Sequence, residues 1–174
     1  GSVTPGHPEL DVARGIENSS GPLGQGHAIA AGAAVAEKFL EARLGSTMMQ
    51  HKIYAYISDG AVEEEISQGV GRIAGNLGLN NLIMFYDSND IQLSTECGLV
   101  MTENTEMKYK AWGWNVIKIN GNDVAQIREA LTAAQQEQER PTLIIGKTVM
   151  GKGALRADGT SYEACINTHG APLG

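Results

Sequence analysis

Four short apolar runs alternate with stretches of helical period along this chain, and that alternation strongly restricts its architecture. Ile53-Tyr54-Ala55-Tyr56-Ile57, Leu82-Ile83-Met84-Phe85-Tyr86, Trp114-Asn115-Val116-Ile117-Lys118-Ile119 and residues 142–148 are rich in β-branched and aromatic side chains, as buried strands are. Strands that alternate with helices pair in parallel through right-handed crossovers. The expected fold is therefore α/β: a doubly wound, mainly parallel sheet with helices on both faces.

The helical segments carry their own signals. Residues 26–44 are dense in alanine, the best helix former, and this helix is expected to be buried against a sheet or another subunit. Val62, Ile66, Val70, Ile73 and Leu77 recur at spacings of 4, 4, 3 and 4, which predicts one helix with a single apolar face. Glu63, Glu64 and Glu65 are placed in its first turn, where the helix dipole favours acids. A short helix is expected near residues 105–111. Asp123 with Gln126 three residues on reads as a capping box, ahead of an apolar face at Val124, Ile127, Leu131 and Ala134.

At 174 residues one domain is expected. Residues 1–25 read as an ordered loop or tail, 26–150 as the α/β core, and 151–174 as a Gly-rich C-terminal loop segment. Gly1-Ser2 reads as the scar of a cleaved tag. The formal charge of −7 argues against nucleic acid as a partner, since a phosphate backbone needs clustered cations. An anionic cofactor remains compatible, because one metal ion and a few N–H groups reverse a local field. Apolar runs stay short of a membrane span, and Cys97 and Cys165 show no metal-ligand spacing, so a cytoplasmic protein without a membrane partner is expected.

In open parallel sheets ligands bind beyond the carboxyl ends of the strands. Two such ends carry chemistry: Ser58-Asp59-Gly60 after the first strand and Asp87-Ser88-Asn89 after the second. A helix that begins at Gly60 offers free N–H groups to phosphate. Asp59 supplies a hard oxygen for Mg2+ or Ca2+, with the Asn89 amide and the Ile91 carbonyl as further ligands. An Asp-Gly turn and a loop asparagine are also common without any ligand.

Asp59-Gly60, about thirty residues, then Asn89, each after an apolar strand, resembles the metal-diphosphate signature of thiamine-diphosphate enzymes. Ser58 stands where that signature usually begins with glycine. Further segments resemble the transketolase family in particular: Thr4-Pro5-Gly6-His7-Pro8-Glu9, Gly21-Pro22-Leu23-Gly24-Gln25-Gly26, Tyr86-Asp87-Ser88-Asn89-Asp90-Ile91, Tyr109-Lys110-Ala111-Trp112-Gly113-Trp114 and Thr168-His169-Gly170-Ala171-Pro172-Leu173.

The resemblance implies thiamine diphosphate and Mg2+ or Ca2+ as cofactors, and transfer of a two-carbon ketol unit between sugar phosphates of the pentose phosphate pathway. Asp59, Asn89 and the Ile91 carbonyl match the metal ligands, and the Gly60 N–H and His169 match diphosphate contacts. Gly21 and Leu23 match a loop against the aminopyrimidine, and Leu93 an apolar cofactor contact. His7 matches a histidine facing the sugar, so His7 and His169 are the catalytic candidates. Glu64 matches an acid in a carboxylate network across a homodimer interface.

The family's enzymes are several times longer than this chain. Their pyrimidine-binding domain, with the glutamate that activates the cofactor, has no counterpart here, nor has the histidine-bearing segment ahead of His7. Gly69 stands where a second interface glutamate is typical. The chain is accordingly expected to lack turnover alone. Another thiamine-diphosphate enzyme, or a non-catalytic metal-diphosphate-binding module, is the alternative reading.

Overall fold

A computed structural model describes residues 9–170. In chain order its regular elements are α1 (Gln25–Leu44), α2 (Ser46–Met49), β1 (Ile53–Ser58), α3 (Asp59–Glu63), α4 (Glu65–Asn76), β2 (Leu82–Ser88), α5 (Thr105–Ala111), β3 (Asn115–Asn120), α6 (Val124–Gln136) and β4 (Thr142–Lys147). All four strands are parallel, in the order β1-β2-β4-β3. Registers such as Ser58 opposite Asp87 and Asp87 opposite Gly146 bring the strand ends together along one edge.

Strand alternation divides the core in two. On one face Ile57, Leu82, Met84, Tyr86, Leu143 and Ile145 pack with Ala30, Ala31 and Ala34 of α1, Ala74 of α4 and Tyr109 of α5. On the other, Ile83 and Ile144 pack with Ala130 and Ala134 of α6. Helices thus lie on both faces, as the alternation predicts. Each fully buried Leu or Ile contributes roughly 1.5–3 kcal/mol by leaving water. α6 covers only part of its face, leaving Tyr56 of β1 82% exposed beside Phe85. Among the described residues no helix is long and apolar enough to cross a membrane, and both cysteines are free.

Two sequence expectations fail around α4. The helix over residues 60–77 is broken at Glu64, whose φ of −62° and ψ of 134° are extended, so α3 ends and α4 begins afresh at Glu65. The three glutamates therefore do not share one first turn. Val62 is buried and Val70 packs, partly buried, against the core, but Ile66, Ile73 and Leu77 are 44%, 58% and 54% exposed. The buried face of α4 is instead Ser67, Gly71 and Ala74. The physical reason is proximity: a Cβ on Gly71 would stand 2.9 Å from the Trp112 ring, and one on Gly75 only 1.8 Å from the Trp112 carbonyl oxygen. Only small side chains fit between α4 and the chain leaving α5, so the large apolar ones turn outward. α1, which packs against α4, likewise leaves Ile29, Phe39 and Leu40 exposed.

α6 begins as its sequence predicts, with Asp123 Oδ1 accepting from the N–H groups of Ala125 and Gln126, although Val124 is exposed rather than in the apolar face.

Candidate functional site

β1 ends at Ser58 in extended conformation, and Asp59 follows as the first residue of α3, only 1% exposed. Its carboxylate is held from three directions. Oδ1 accepts from the Tyr86 hydroxyl at 2.5 Å, and Oδ2 accepts from the N–H groups of Asn89 at 2.9 Å and Asp90 at 3.0 Å. Two successive N–H groups reach one oxygen because Asp90 adopts a left-handed φ of 65°, which aspartate tolerates better than most residues.

Asn89 Oδ1 accepts from the Ile91 N–H at 3.0 Å, closing a local turn. The loop is closed further on by Gln92 N–H to Thr95 O and Cys97 N–H to Asp90 O, bonds that leave the Ile91 carbonyl unused. Lys147 forms an ion pair with Asp90, and the Thr148 hydroxyl donates to Asp87. Asp59, Asn89 and Ile91 thus belong to one tightly bonded strand-end cluster, as strand order and spacing predict.

The loop ahead of α1 arrives beside this cluster. A Cβ on Gly60 would lie 3.7 Å from Leu23 Cδ1 and 3.9 Å from Gln92 Oε1, ordinary contacts. Gly24 is required where it stands: its φ is +83°, and a Cβ there would be 2.3 Å from Ile66 Cγ2 and 2.9 Å from Ser67 Oγ. Gly21, Leu23, Gly24, His27, Ser58 and Asp87 line a cavity of about 310 Å³. A second cavity of about 500 Å³ includes Asp59, Ser88, Asp90, Cys97, Glu103 and Lys147.

The electrostatics around Asp59 favour a cation. Glu63 Oε1 is buried with no hydrogen-bond partner, and burial together with the Asp59 charge raises the Glu63 pKa, against the opposing pull of Lys108. Burial and then the same acids push the Cys97 thiol up to about 11, which keeps it protonated and unsuited to nucleophilic work. Burial foremost, and then the bond to Asp59, raise the Tyr86 pKa, so the phenol remains a donor. Among the described residues no group of three or more His, Cys, Asp or Glu is placed to hold a metal. Any cation here must draw on amide and carbonyl oxygens beside one carboxylate, a donor set that suits Mg2+ or Ca2+. Asp59 Oδ1 accepts from the Tyr86 hydroxyl and Asn89 Oδ1 from the Ile91 N–H, and each oxygen has a second lone pair for that role.

Other expected site residues are not brought into this cluster. Leu93 is exposed beyond the turn. Glu64 is exposed at the break before α4. His169 follows the short turn Ile166–Thr168, lines neither cavity, and keeps a buried Nδ1 with no partner. His7 lies outside the described residues. Conversely, sequence reasoning overlooked Tyr86, Asp90 and Glu63. Tyr86 had a usable signal, since it shares strand parity with Leu82 and Met84 and carries a hydroxyl at the strand end. The Asp90–Lys147 pair joins distant segments and had none.

His27, in the first turn of α1, makes the fold sensitive to acid. It is buried, its Nδ1 has no partner, and desolvation lowers its pKa to about 4 from 6.5. Between those values the unfolded chain binds the proton that the folded chain refuses. Stability is therefore full above pH 6.5 and falls as pH drops toward 4, by on the order of 3 kcal/mol. Urea denaturation across this range should show the loss in the wild type and a smaller one in His27→Leu. Equal pH slopes in both would refute the assignment.

Comparison with known proteins gives the family and the fold. The family model described as "Transketolase, thiamine diphosphate binding domain" matches residues 1–174. A transketolase of Geobacillus stearothermophilus is 43% identical over 178 residues, which is 100% of this chain and 26% of that protein. Transketolase 1 of Escherichia coli (strain K12) is 42% identical over 177 residues, 99% of this chain and 26% of that one. The crystal structure of transketolase from Campylobacter jejuni aligns with a TM-score of 0.83 and 40% identity, covering 93% of this chain and 25% of its own. Transketolase from Leishmania mexicana aligns with a TM-score of 0.80 and 39% identity, covering 87% and 24%. The chain spans about a quarter of the length of the curated relatives it matches. With its parallel α/β sheet and a family model matched from end to end, the chain belongs to the transketolase thiamine-diphosphate-binding domain family.

Proposed function

We propose that this chain is the diphosphate-binding part of a transketolase, which holds thiamine diphosphate through Mg2+ or Ca2+ for ketol transfer between sugar phosphates. The observation that carries the reading is the Asp59 carboxylate, buried and bonded directly to the Asn89 backbone at the shared strand edge. Asp59, Asn89 and the Ile91 carbonyl hold the cation, and the Gly60 N–H at the start of α3 meets a diphosphate oxygen. Leu23 and Gly21 shield the ring system from water, with Leu93 as a further apolar contact. His169 is a second diphosphate contact, and His7 faces the sugar.

When bound, thiamine diphosphate supplies the carbanion stabilisation that ketol transfer needs. The protein residues in hand orient and anchor it. Among the described residues none is assigned to activate its ring, and the chain alone is expected to lack turnover. A pyrimidine-binding domain supplies that function in the complete enzyme. The outward apolar residues of α1 and α4 support a homodimer in which Glu64 lies at the interface, since patches of this kind mark docking surfaces.

Calorimetry with thiamine diphosphate and Mg2+ tests the reading. Weak or undetectable binding by the chain alone, strengthened when the pyrimidine-binding domain is added in trans, is the expected result. Ketol transfer by the isolated chain, or no gain from the added domain, would overturn it. Sedimentation of the same samples checks the dimer, and a persistent single-chain species would count against that part.

A further inference from the structure

Among the described residues, Tyr86 supplies the side-chain hydrogen bond to the Asp59 carboxylate, and the other two donors are backbone N–H groups. Tyr86 belongs to β2, an interior strand, where its partners in register are Ile57 of β1 and Ile145 of β4. It is 4% exposed and packs in the same core cluster as Ile57, Met84 and Ile145. A ring so enclosed has little freedom to swing, so its hydroxyl stands where the sheet puts it.

That hydroxyl meets the carboxylate at a particular atom. Each oxygen of an ionised carboxylate offers two lone pairs. Both on Oδ2 are taken, by the N–H groups of Asn89 at 2.9 Å and Asp90 at 3.0 Å. Oδ1 accepts from Tyr86 alone, at 2.5 Å. The lone pair left for a cation is therefore on the oxygen that Tyr86 holds. Lone pairs of such an oxygen lie near the carboxylate plane, so filling one sets the line along which the other points. Asp59 and Tyr86 both line the cavity of about 500 Å³, which has room for a cation and its waters.

A buried carboxylate needs donors whatever it does, and a phenol is a good one. Here two N–H groups already meet that need at Oδ2, and phenylalanine would fill the same core with no polar atom to desolvate. Simple support for a buried charge does not explain why the hydroxyl sits on the oxygen with a lone pair to spare.

We propose that Tyr86 is a positioning residue for the cation: its hydroxyl aims the free lone pair of Asp59 Oδ1, so that the metal meets a ligand already oriented. This role rests on the cation reading of the edge proposed above. Groups that orient a metal ligand govern metal affinity by about 10–100-fold.

The test is a Mg2+ titration of thiamine diphosphate binding, followed by calorimetry with the pyrimidine-binding domain in trans, for the wild type and Tyr86→Phe. The variant keeps the ring and loses only the hydroxyl. Its Mg2+ midpoint should rise by about tenfold, while its affinity for the cofactor with the metal chelated should match the wild type. A merely structural tyrosine would weaken both alike, or neither. An unchanged midpoint in a folded variant, or equal weakening with and without Mg2+, would overturn the role of Tyr86 and leave the cation reading in place. Wild-type binding that ignores Mg2+ would overturn that reading, and the role of Tyr86 with it. Should Tyr86→Phe not fold, NMR of the wild type with isotope-labelled tyrosine serves instead. The Tyr86 Cζ resonance should then move with Mg2+ at the midpoint of cofactor binding, and a resonance that stays fixed would overturn the proposal.

Discussion

Asp59→Ala is expected to abolish metal-dependent binding of thiamine diphosphate, a loss of at least about 100-fold when the pyrimidine-binding domain is present in trans. The substitution removes the single charged ligand proposed for the cation, and with it the acceptor of three hydrogen bonds. Leaving the Tyr86 hydroxyl and the two N–H groups without partners costs on the order of 3 kcal/mol of stability. Asp59→Asn separates the two effects. Its amide keeps the shape and one acceptor oxygen, so the fold should survive while the cation's attraction is lost. Calorimetry in the presence and absence of Mg2+ reads the first effect and urea denaturation the second. Undiminished metal-dependent affinity in a folded Asp59→Asn would remove this residue from the site.

Gly75→Ala should be the most damaging single methyl in the described structure. Two effects compete at this position. Alanine gains up to about 1 kcal/mol of helix propensity over glycine, which favours the variant. Its Cβ, however, would stand 1.8 Å from the Trp112 carbonyl oxygen, 2.9 Å from the carbonyl carbon and 3.2 Å from Trp114 Cδ1. Backbone cannot rotate away as a side-chain tip can, so α4 must shift as a unit. The clash wins, with a net loss of about 3 kcal/mol, or a fall in Tm of roughly 6–12 °C by thermal unfolding. Because the start of α4 lies under the Gly24 loop, the shift should also loosen the Gly21–Leu23 approach to Gly60. An unchanged or raised Tm would overturn the close approach of α4 to the Trp112 carbonyl.

These two positions mark how far sequence reasoning reaches. Asp59 was visible because strand ends are legible: apolar runs of the right length stop at Ser58 and Ser88, and parallel pairing must bring those ends to one edge. Gly75 was invisible, since a glycine inside a helical pattern reads only as a weak helix former. The same blindness turned much of the expected α4 face outward, Val70 excepted. Periodicity located a real stripe at Ile66, Ile73 and Leu77 but could not say what it faced, and hydrophobicity alone argued for the core. The Trp112 ring and carbonyl, more than thirty residues further along the chain, took the space and left room for small residues only.

The polar partners show the same division. Asn89 and Ile91 were legible by spacing and by resemblance, yet the Tyr86 hydroxyl and the Asp90 N–H that grip the carboxylate were not. Nor was the buried bond from Asn81 Nδ2, in the turn before β2, to Glu37 of α1.

By itself, then, the sequence determined the class of fold, the elements and the edge at which Asp59 and Asn89 meet. Those follow from short-range rules: chain period, strand length and the handedness of crossovers. Tertiary structure alone decided which face of α4 is buried, where that helix breaks, and which groups satisfy the carboxylate. These depend on close packing between residues far apart in the chain, where a distance of one ångström outweighs any propensity.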